Sequence, residues 1–149
     1  MEILKTCLIM FGLSVCLVGC KEATDKRKIE IQTPQININN TSSVAKDVNV
    51  QDFKRLIDEN KGVILDVRTP KEYQSGHIVG AINIDWKNND EFTSKIKEIS
   101  KDKTLLIYCR SGRRSGLAKE YLQKQGYQKV YNLESGILGW QKKNLATEK

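Results

Sequence analysis

Outside its first twenty residues the chain has almost no cysteine, and this scarcity excludes a fold stabilised by disulfides. Three of the four cysteines are Cys7, Cys16 and Cys20, and only Cys109 lies in the body of the chain. A disulfide framework would distribute its partners through the fold. The chemistry of Cys109 is therefore expected to be that of a free thiol.

The sequence also lacks the features of a nucleic-acid-binding protein. Its net charge of +7 comes from 25 Lys and Arg residues against 18 Asp and Glu residues. The basic residues alternate with acidic ones and form no stripe interleaved with aromatics. The excess charge is most simply a solvated basic surface, although an anionic membrane or a small anionic substrate would also suit it. We expect no nucleic-acid partner.

No hydrophobic run at the N-terminal end is long enough to cross a membrane comfortably. The uncharged run covers fourteen residues, 6–19, whereas a bilayer core of about 30 Å needs about 20 residues as a helix. This length is typical of the apolar region of a secretory signal. The run ends in Leu17-Val18-Gly19-Cys20, which resembles the lipobox of bacterial lipoproteins. A plain signal peptide or a short anchor helix is the alternative, because Glu2 stands where positive charge is usual.

The lipoprotein resemblance implies that residues 1–19 are a signal peptide and that Cys20 carries the lipid. The protein would then be exported and anchored to a membrane, facing the periplasm or the cell exterior. Residues 20–46 are polar and interrupted by Pro34, which favours a flexible tether over an added edge strand. The remaining residues, 47–149, are expected to form one domain whose only thiol is Cys109.

That domain alternates short apolar runs with amphipathic segments, which predicts an α/β fold with a parallel sheet. Asp52 is expected to cap the first helix, and Leu117 is expected to face inward from the last long helix. The predicted strands are residues 63–67, 81–84, 104–108 and 130–133, and the later helices are expected near residues 69–73, 91–100 and 115–125.

Cys109 follows directly after a predicted strand, at the edge of the sheet where ligands bind in such folds. The loop after it contains three arginines and a glycine, and a helix begins near Ser115. Backbone N–H groups of such a loop can enclose an anion, and the helix N-terminus adds positive charge. We expect this environment to favour a thiolate. The candidate anion-binding residues are Arg110, Ser111, Gly112, Arg113, Arg114 and Ser115.

At this point the sequence resembles the single-domain rhodaneses. The motifs that carry the resemblance occur in family order across residues 47–144. They are Val63-Ile64-Leu65-Asp66-Val67-Arg68, Glu72-Tyr73, Gly76-His77-Ile78, Gly80-Ala81-Ile82-Asn83, the Cys109 loop, and Gly136-Ile137-Leu138-Gly139-Trp140.

The resemblance implies a small parallel sheet of about five strands with helices on both faces. It also implies that Cys109 takes sulfur from an anionic donor such as thiosulfate, holds it as a persulfide, and passes it to a thiol or cyanide. No metal or organic cofactor is needed for this chemistry. In the family Asp66 would help to hold the active loop, and Arg68 would pair with Glu72. His77, the only histidine, is expected to be structural, and a monomer is the default.

Two alternatives remain open from the sequence. Cysteine phosphatases and arsenate reductases of this fold are one, although phosphatases place an arginine six residues after the cysteine. Here Arg114 comes five residues after Cys109, and Ser115 occupies the sixth position, which favours sulfur over phosphate. The other alternative is a non-catalytic module that carries persulfide or binds a partner.

The lipoprotein prediction can be tested by replacing Cys20 with Ser. We expect the unsubstituted chain to incorporate labelled fatty acid and Cys20→Ser to incorporate none, because only a thiol in the lipobox is acylated. Cys16→Ser is the matched control, since it removes a thiol from the same segment. A Cys20→Ser chain that remained acylated would contradict the prediction.

Overall fold

A computed structural model describes residues 43–149 of the chain. The expected signal peptide, Cys20 and nearly all of the expected tether lie outside these residues. Among the described residues, no helix has the length and apolar character needed to cross a membrane. The elements are β1 (Val44–Val48), α1 (Val50–Asp58), β2 (Val63–Asp66), α2 (Pro70–Gln74), β3 (His77–Ile78), β4 (Ile82–Asn83), α3 (Asn89–Lys95) with a 3-10 turn at Ile96–Glu98, β5 (Thr104–Tyr108), α4 (Arg113–Lys124), β6 (Lys129–Leu133), α5 (Gly136–Lys142) and β7 (Thr147–Glu148).

The main sheet has five strands in the order β1-β6-β5-β2-β4, and every pairing is parallel. The predicted α/β fold is therefore confirmed. The central strand β5 leads directly into Cys109, so the cysteine lies in the middle of the sheet's carboxyl edge. A separate antiparallel pair joins β3 to β7.

The sheet buries a hydrophobic cluster on each face. Leu105 and Ile107 of β5 pack on one side with residues of α3 and α4, whereas Leu106 and Tyr108 pack on the other with residues of α1 and α5. This alternation is the two-residue period of a strand covered on both faces. It confirms that helices lie on both sides of the sheet.

The folded region begins earlier than the sequence indicated. Strand β1 starts at Val44, before the expected boundary at Asp47, and it pairs with β6 from Val44 to Val48. Two of its residues, Lys46 and Asp47, are polar and exposed. An edge strand of this composition has no continuous apolar run, so the pattern did not identify it.

Two local predictions about helices are wrong. The first helix is capped by Asn49, whose side chain accepts the N–H of Asp52 at 2.9 Å, so Asp52 lies in the first turn instead of at the cap. Leu117 is 51% exposed, because the buried face of α4 is formed by Ser115, Ala118 and Leu122 and Leu117 lies beside that face. Ala118 and Leu122 of the same helix are buried as expected.

Asp66 and Arg68 form a buried ion pair at the end of β2. The carboxylate of Asp66 accepts from Nη2 of Arg68 at 2.5 Å and from its Nε at 2.9 Å. Arg68 also donates to the carbonyl oxygen of Gly76 at 2.7 Å, and its guanidinium lies 5.7 Å from the centre of the Tyr108 ring. The predicted pair between Arg68 and Glu72 is therefore wrong. Arg68 satisfies the charge of Asp66, its neighbour two residues away.

Removing Arg68 should destabilise the fold strongly. We expect Arg68→Met to lower the free energy of unfolding by about 3–5 kcal/mol, because it leaves the Asp66 charge buried without a partner. Urea denaturation of the purified chain measures this change. The double variant Asp66→Asn/Arg68→Met should recover part of the loss, and a loss unchanged in the double variant would argue against a charge-based cause.

Candidate active site

The loop after β5 is fastened to α5 by its carbonyl groups. Ile137 donates its N–H to the carbonyl oxygen of Cys109 at 2.9 Å, and Leu138 donates to that of Arg110 at 3.2 Å. Gly136 begins α5 with a φ of +56°, and a Cβ there would lie 2.4 Å from the Arg110 oxygen. Only glycine allows this approach. With the carbonyls turned outward, the loop's N–H groups are left to face the cysteine sulfur.

Gly112 is the second position at which only glycine fits. Its φ is +87°, and a Cβ would meet the carbonyl oxygen of Glu134 at 1.9 Å. Its own carbonyl oxygen accepts from the N–H of Gly116 at 2.8 Å and from the side-chain amide of Asn132 at 3.3 Å. These bonds fix the tight turn between Cys109 and the start of α4.

Cys109 is buried, with 1% of its surface exposed. Burial alone would raise the pKa of the thiol. Hydrogen bonding from the Ser115 hydroxyl and from the N–H groups of Ser115, Ser111 and Arg114 outweighs burial and holds the pKa of Cys109 below its ordinary value. The Ser115 hydroxyl donates to the Gly112 carbonyl oxygen at 3.1 Å, and rotation of its proton brings it to the sulfur. The site therefore favours a thiolate, as the sequence predicted.

Arg114, the arginine five residues after Cys109, is bound by a carboxylate. Glu72 accepts from both terminal nitrogens of Arg114, at 2.8 and 2.6 Å. Thr69 holds Glu72 in place through a reciprocal capping box at the start of α2. The hydrogen bond from Arg114 is the main reason that the pKa of Glu72 falls to about 2. The ion pair ties the active loop to α2.

A cleft of about 440 Å³ opens beside the loop. It is lined by Glu72, Lys87, Arg110, Ser111, Arg113 and Arg114. Four of these six side chains are cationic, so the cleft suits an anion. Glu72 and Lys87 were missed as cleft residues by sequence reasoning. Neither belongs to the Cys109 loop, and only the way α2 and the segment before α3 fold over the loop brings them there.

The remaining predicted residues lie outside the cleft lining. Asp66 and Arg68 are buried in their own ion pair. His77 stacks on Tyr73 with ring centres 3.7 Å apart, and its Nε2 lies 3.5 Å from a carboxylate oxygen of Glu148. These contacts of His77 connect β3 to β7, which is consistent with a structural role for the histidine.

Comparison with known proteins identifies the family. The model of the Rhodanese-like domain matches residues 49–143, which is well over half of the chain. The chain therefore belongs to the rhodanese-like family.

Three similar proteins illustrate the range of this family. A sulfurtransferase of Allochromatium vinosum is 39% identical over 92 residues, which are 62% of this chain and 83% of that protein. A tRNA uridine(34) hydroxylase of Cytophaga hutchinsonii is 36% identical over 104 residues, which are 68% of this chain but only 33% of the hydroxylase. The crystal structure of a rhodanese-related protein from Thermoplasma volcanium has a TM-score of 0.61 and 31% identity, and the match covers 69% of this chain and 97% of that one.

The family and the sulfurtransferase relative support sulfur transfer in general as the chemistry of this chain. The sulfurtransferase is matched over most of its length, whereas the chain spans only a third of the hydroxylase.

Ser115→Ala should raise the pKa of Cys109, because it removes the hydroxyl that stabilises the thiolate. We expect the midpoint of a thiolate absorbance titration to move to higher pH, and alkylation by iodoacetamide at neutral pH to slow. Ser94→Ala, an exposed change on α3, is the control. An unchanged midpoint in Ser115→Ala would mean that the backbone N–H groups alone set the pKa.

Proposed function

We propose that the protein is a rhodanese-type sulfurtransferase that moves sulfane sulfur from a small anionic donor such as thiosulfate to a thiol or cyanide, through a persulfide on Cys109. The observation that carries the proposal is the buried Cys109, whose pKa is lowered by the N–H groups and the hydroxyl of its own loop. The same groups can stabilise the terminal sulfur of a persulfide, which is also an anion.

In the first half-reaction the Cys109 thiolate attacks the outer sulfur of thiosulfate. A new S–S bond forms to Cys109, the S–S bond of thiosulfate breaks, and sulfite leaves with the bonding electron pair. Three negative charges enter and three remain, two on sulfite and one on the persulfide. No proton needs to move, so no general base is required.

In the second half-reaction a nucleophile takes the outer sulfur from the persulfide. With cyanide, a C–S bond forms, the S–S bond to Cys109 breaks, and the electron pair returns to Cys109 as a thiolate. Thiocyanate leaves and the resting enzyme is restored. A thiol acceptor reacts as its thiolate in the same way and leaves as a persulfide.

A cysteine phosphatase or arsenate reductase is the second candidate and is less well supported. Such an enzyme needs an arginine free to grip a tetrahedral oxyanion. Arg114 comes five residues after Cys109, and both of its terminal nitrogens are bound by Glu72. A non-catalytic persulfide carrier uses the same loop and differs only in lacking turnover. Hydroxylation of tRNA is not proposed, because the chain spans a third of that relative.

We also propose that this domain works outside the cytoplasm on a lipid anchor. The support is the sequence of the first twenty residues, with Cys20 as the acylated residue. Residues 21–42 would then separate the lipid from β1.

Thiosulfate and cyanide should yield thiocyanate with the purified chain, and Cys109→Ser should reduce turnover at least a thousandfold because it removes the nucleophile. Ferric-nitrate colorimetry measures the product, and mass spectrometry of the Cys109 peptide should show one added sulfur after thiosulfate alone. Aryl-phosphate hydrolysis without thiocyanate would favour the second candidate. Persulfide formation without turnover would favour the carrier.

A further inference from the structure

We propose that Lys87 is a specificity-determining residue that, with Arg110 and Arg113, binds the non-transferred anionic end of the sulfur donor. This inference rests on the proposed function and names the donor class, an anion whose charge lies on the group that leaves. Lys87 is not part of the Cys109 loop. It lies in the segment between β4 and α3 and lines the basic cleft.

Arg114 is already bound by Glu72 and is not free to bind the donor. Its two terminal nitrogens both donate to Glu72. This hydrogen bonding is the main cause that raises the pKa of Arg114, with smaller contributions from the nearby charges of Cys109 and Asp85. Arg114 therefore fastens the loop to α2, and its charge is largely balanced before a donor arrives.

Three other cations border the same cleft, and their charges are not balanced by an ion pair within the described residues. Lys87, Arg110 and Arg113 are all exposed. Within residues 43–149, none of them forms an ion pair with an acidic side chain. An exposed cation without a partner keeps its full attraction for an incoming anion.

The geometry of the displacement limits the direction in which the donor lies from Cys109. Displacement at sulfur is in line, so the bond that breaks points away from the attacking thiolate. Cys109 is only 1% exposed, so the leaving sulfonate end of the donor is directed towards solvent. Lys87, Arg110 and Arg113 line the cleft beside the loop, and in this proposal they stabilise the charge that develops on the departing sulfite.

The charges on the other side of the loop disfavour binding of the donor there. A second cleft, of about 370 Å³, also borders Ser111 and Arg113. Its lining includes Asp47, whose charge is balanced by Lys119 at 2.8 Å, and the acidic residues Glu120 and Glu134. Glu120 and Glu134 repel a dianion, so the charge distribution favours the Lys87 side as the donor's place.

The backbone at Lys87 is held firmly although its side chain is free. The N–H of Lys87 donates to the Asp85 carboxylate at 2.9 Å, and the N–H of Trp86 donates to the Val67 carbonyl oxygen at 3.3 Å. The Trp86 ring packs edge-on against Phe92, with ring centres 4.9 Å apart. These contacts keep the ammonium group within reach of the cleft.

The test compares steady-state kinetics of the full-length chain with thiosulfate and with methanethiosulfonate. We expect Lys87→Met to raise KM for thiosulfate roughly 3–10-fold at low salt, with kcat falling less than twofold, because an exposed charge contact is lost. The increase should be smaller for methanethiosulfonate, which carries one charge instead of two. Lys87→Arg should restore most of the affinity.

Lys103→Met is the matched control. Lys103 immediately precedes β5 and so lies at the opposite edge of the sheet from Cys109. The Lys103→Met substitution removes the same net charge as Lys87→Met, and it should change KM for thiosulfate less than 1.5-fold. Equal increases in the two variants would show that only the overall field matters, and an unchanged KM in Lys87→Met would equally overturn the proposal.

A second measurement does not depend on turnover. Calorimetric titration of sulfate into Cys109→Ser and into Lys87→Met/Cys109→Ser reports anion binding alone, and the double variant should bind several-fold more weakly. If the unsubstituted chain formed no thiocyanate, the proposed function would fail, and this titration would still decide the role of Lys87. Equal sulfate affinities in the two variants would refute that role.

Discussion

The active loop depends on one constraint, the capture of its outward carbonyl groups by the first turn of α5. Each peptide unit points its C=O and its N–H in opposite directions. When Ile137 and Leu138 bind the carbonyls of Cys109 and Arg110, the following N–H groups must turn inward. The N–H of Ser111, which follows the captured carbonyl of Arg110, acts together with the Ser115 hydroxyl and the N–H groups of Ser115 and Arg114 to lower the pKa of the thiol. The requirement for glycine at position 136 follows from the same close contact, whereas the requirement at position 112 follows from its approach to the carbonyl oxygen of Glu134.

The charges around the loop fall into three groups with different tasks. Asp66 and Arg68 neutralise each other in the core and stabilise the end of β2. Glu72 and Arg114 neutralise each other at the surface and join the loop to α2. The remaining cations of the cleft, Lys87, Arg110 and Arg113, form no ion pair within residues 43–149 and in the proposed function attract the donor. This division would let one loop with three arginines be both rigid and anion-binding.

Much of the fold could be predicted because its central strands are continuous apolar runs. Residues 104–108 were predicted as a strand, and β5 has these bounds. Strand β1 could not be found in this way, because its exposed middle carries Lys46 and Asp47. The strands β3 and β7 are two residues each and depend on a long-range pairing, which no local pattern indicates.

In the site, as in the fold, features set by neighbouring residues could be predicted, whereas contacts between distant residues could not. Cys109, Gly112 and Ser115 lie within residues 109–115, so their proximity could be predicted from their order. The partner of Arg114 could not, because Glu72 lies 42 residues away and α2 must fold over the loop to reach it. The family resemblance implied Arg68 as the partner of Glu72, whereas the structure shows Arg68 bound to Asp66.

The pKa of Glu72 adds a consequence for how the enzyme should respond to pH. Arg114 lowers the pKa of Glu72 from its ordinary 4.5 to about 2, so the carboxylate is more acidic in the folded state than in the unfolded state. The pair's contribution to stability is then fully present above about pH 4.5 and is lost as the pH falls towards 2. Across the range where a thiol such as Cys109 titrates, the loop therefore keeps its fastening to α2. A change in activity between neutral and mildly acidic pH does not then arise from this ion pair, because Glu72 stays ionised throughout that range.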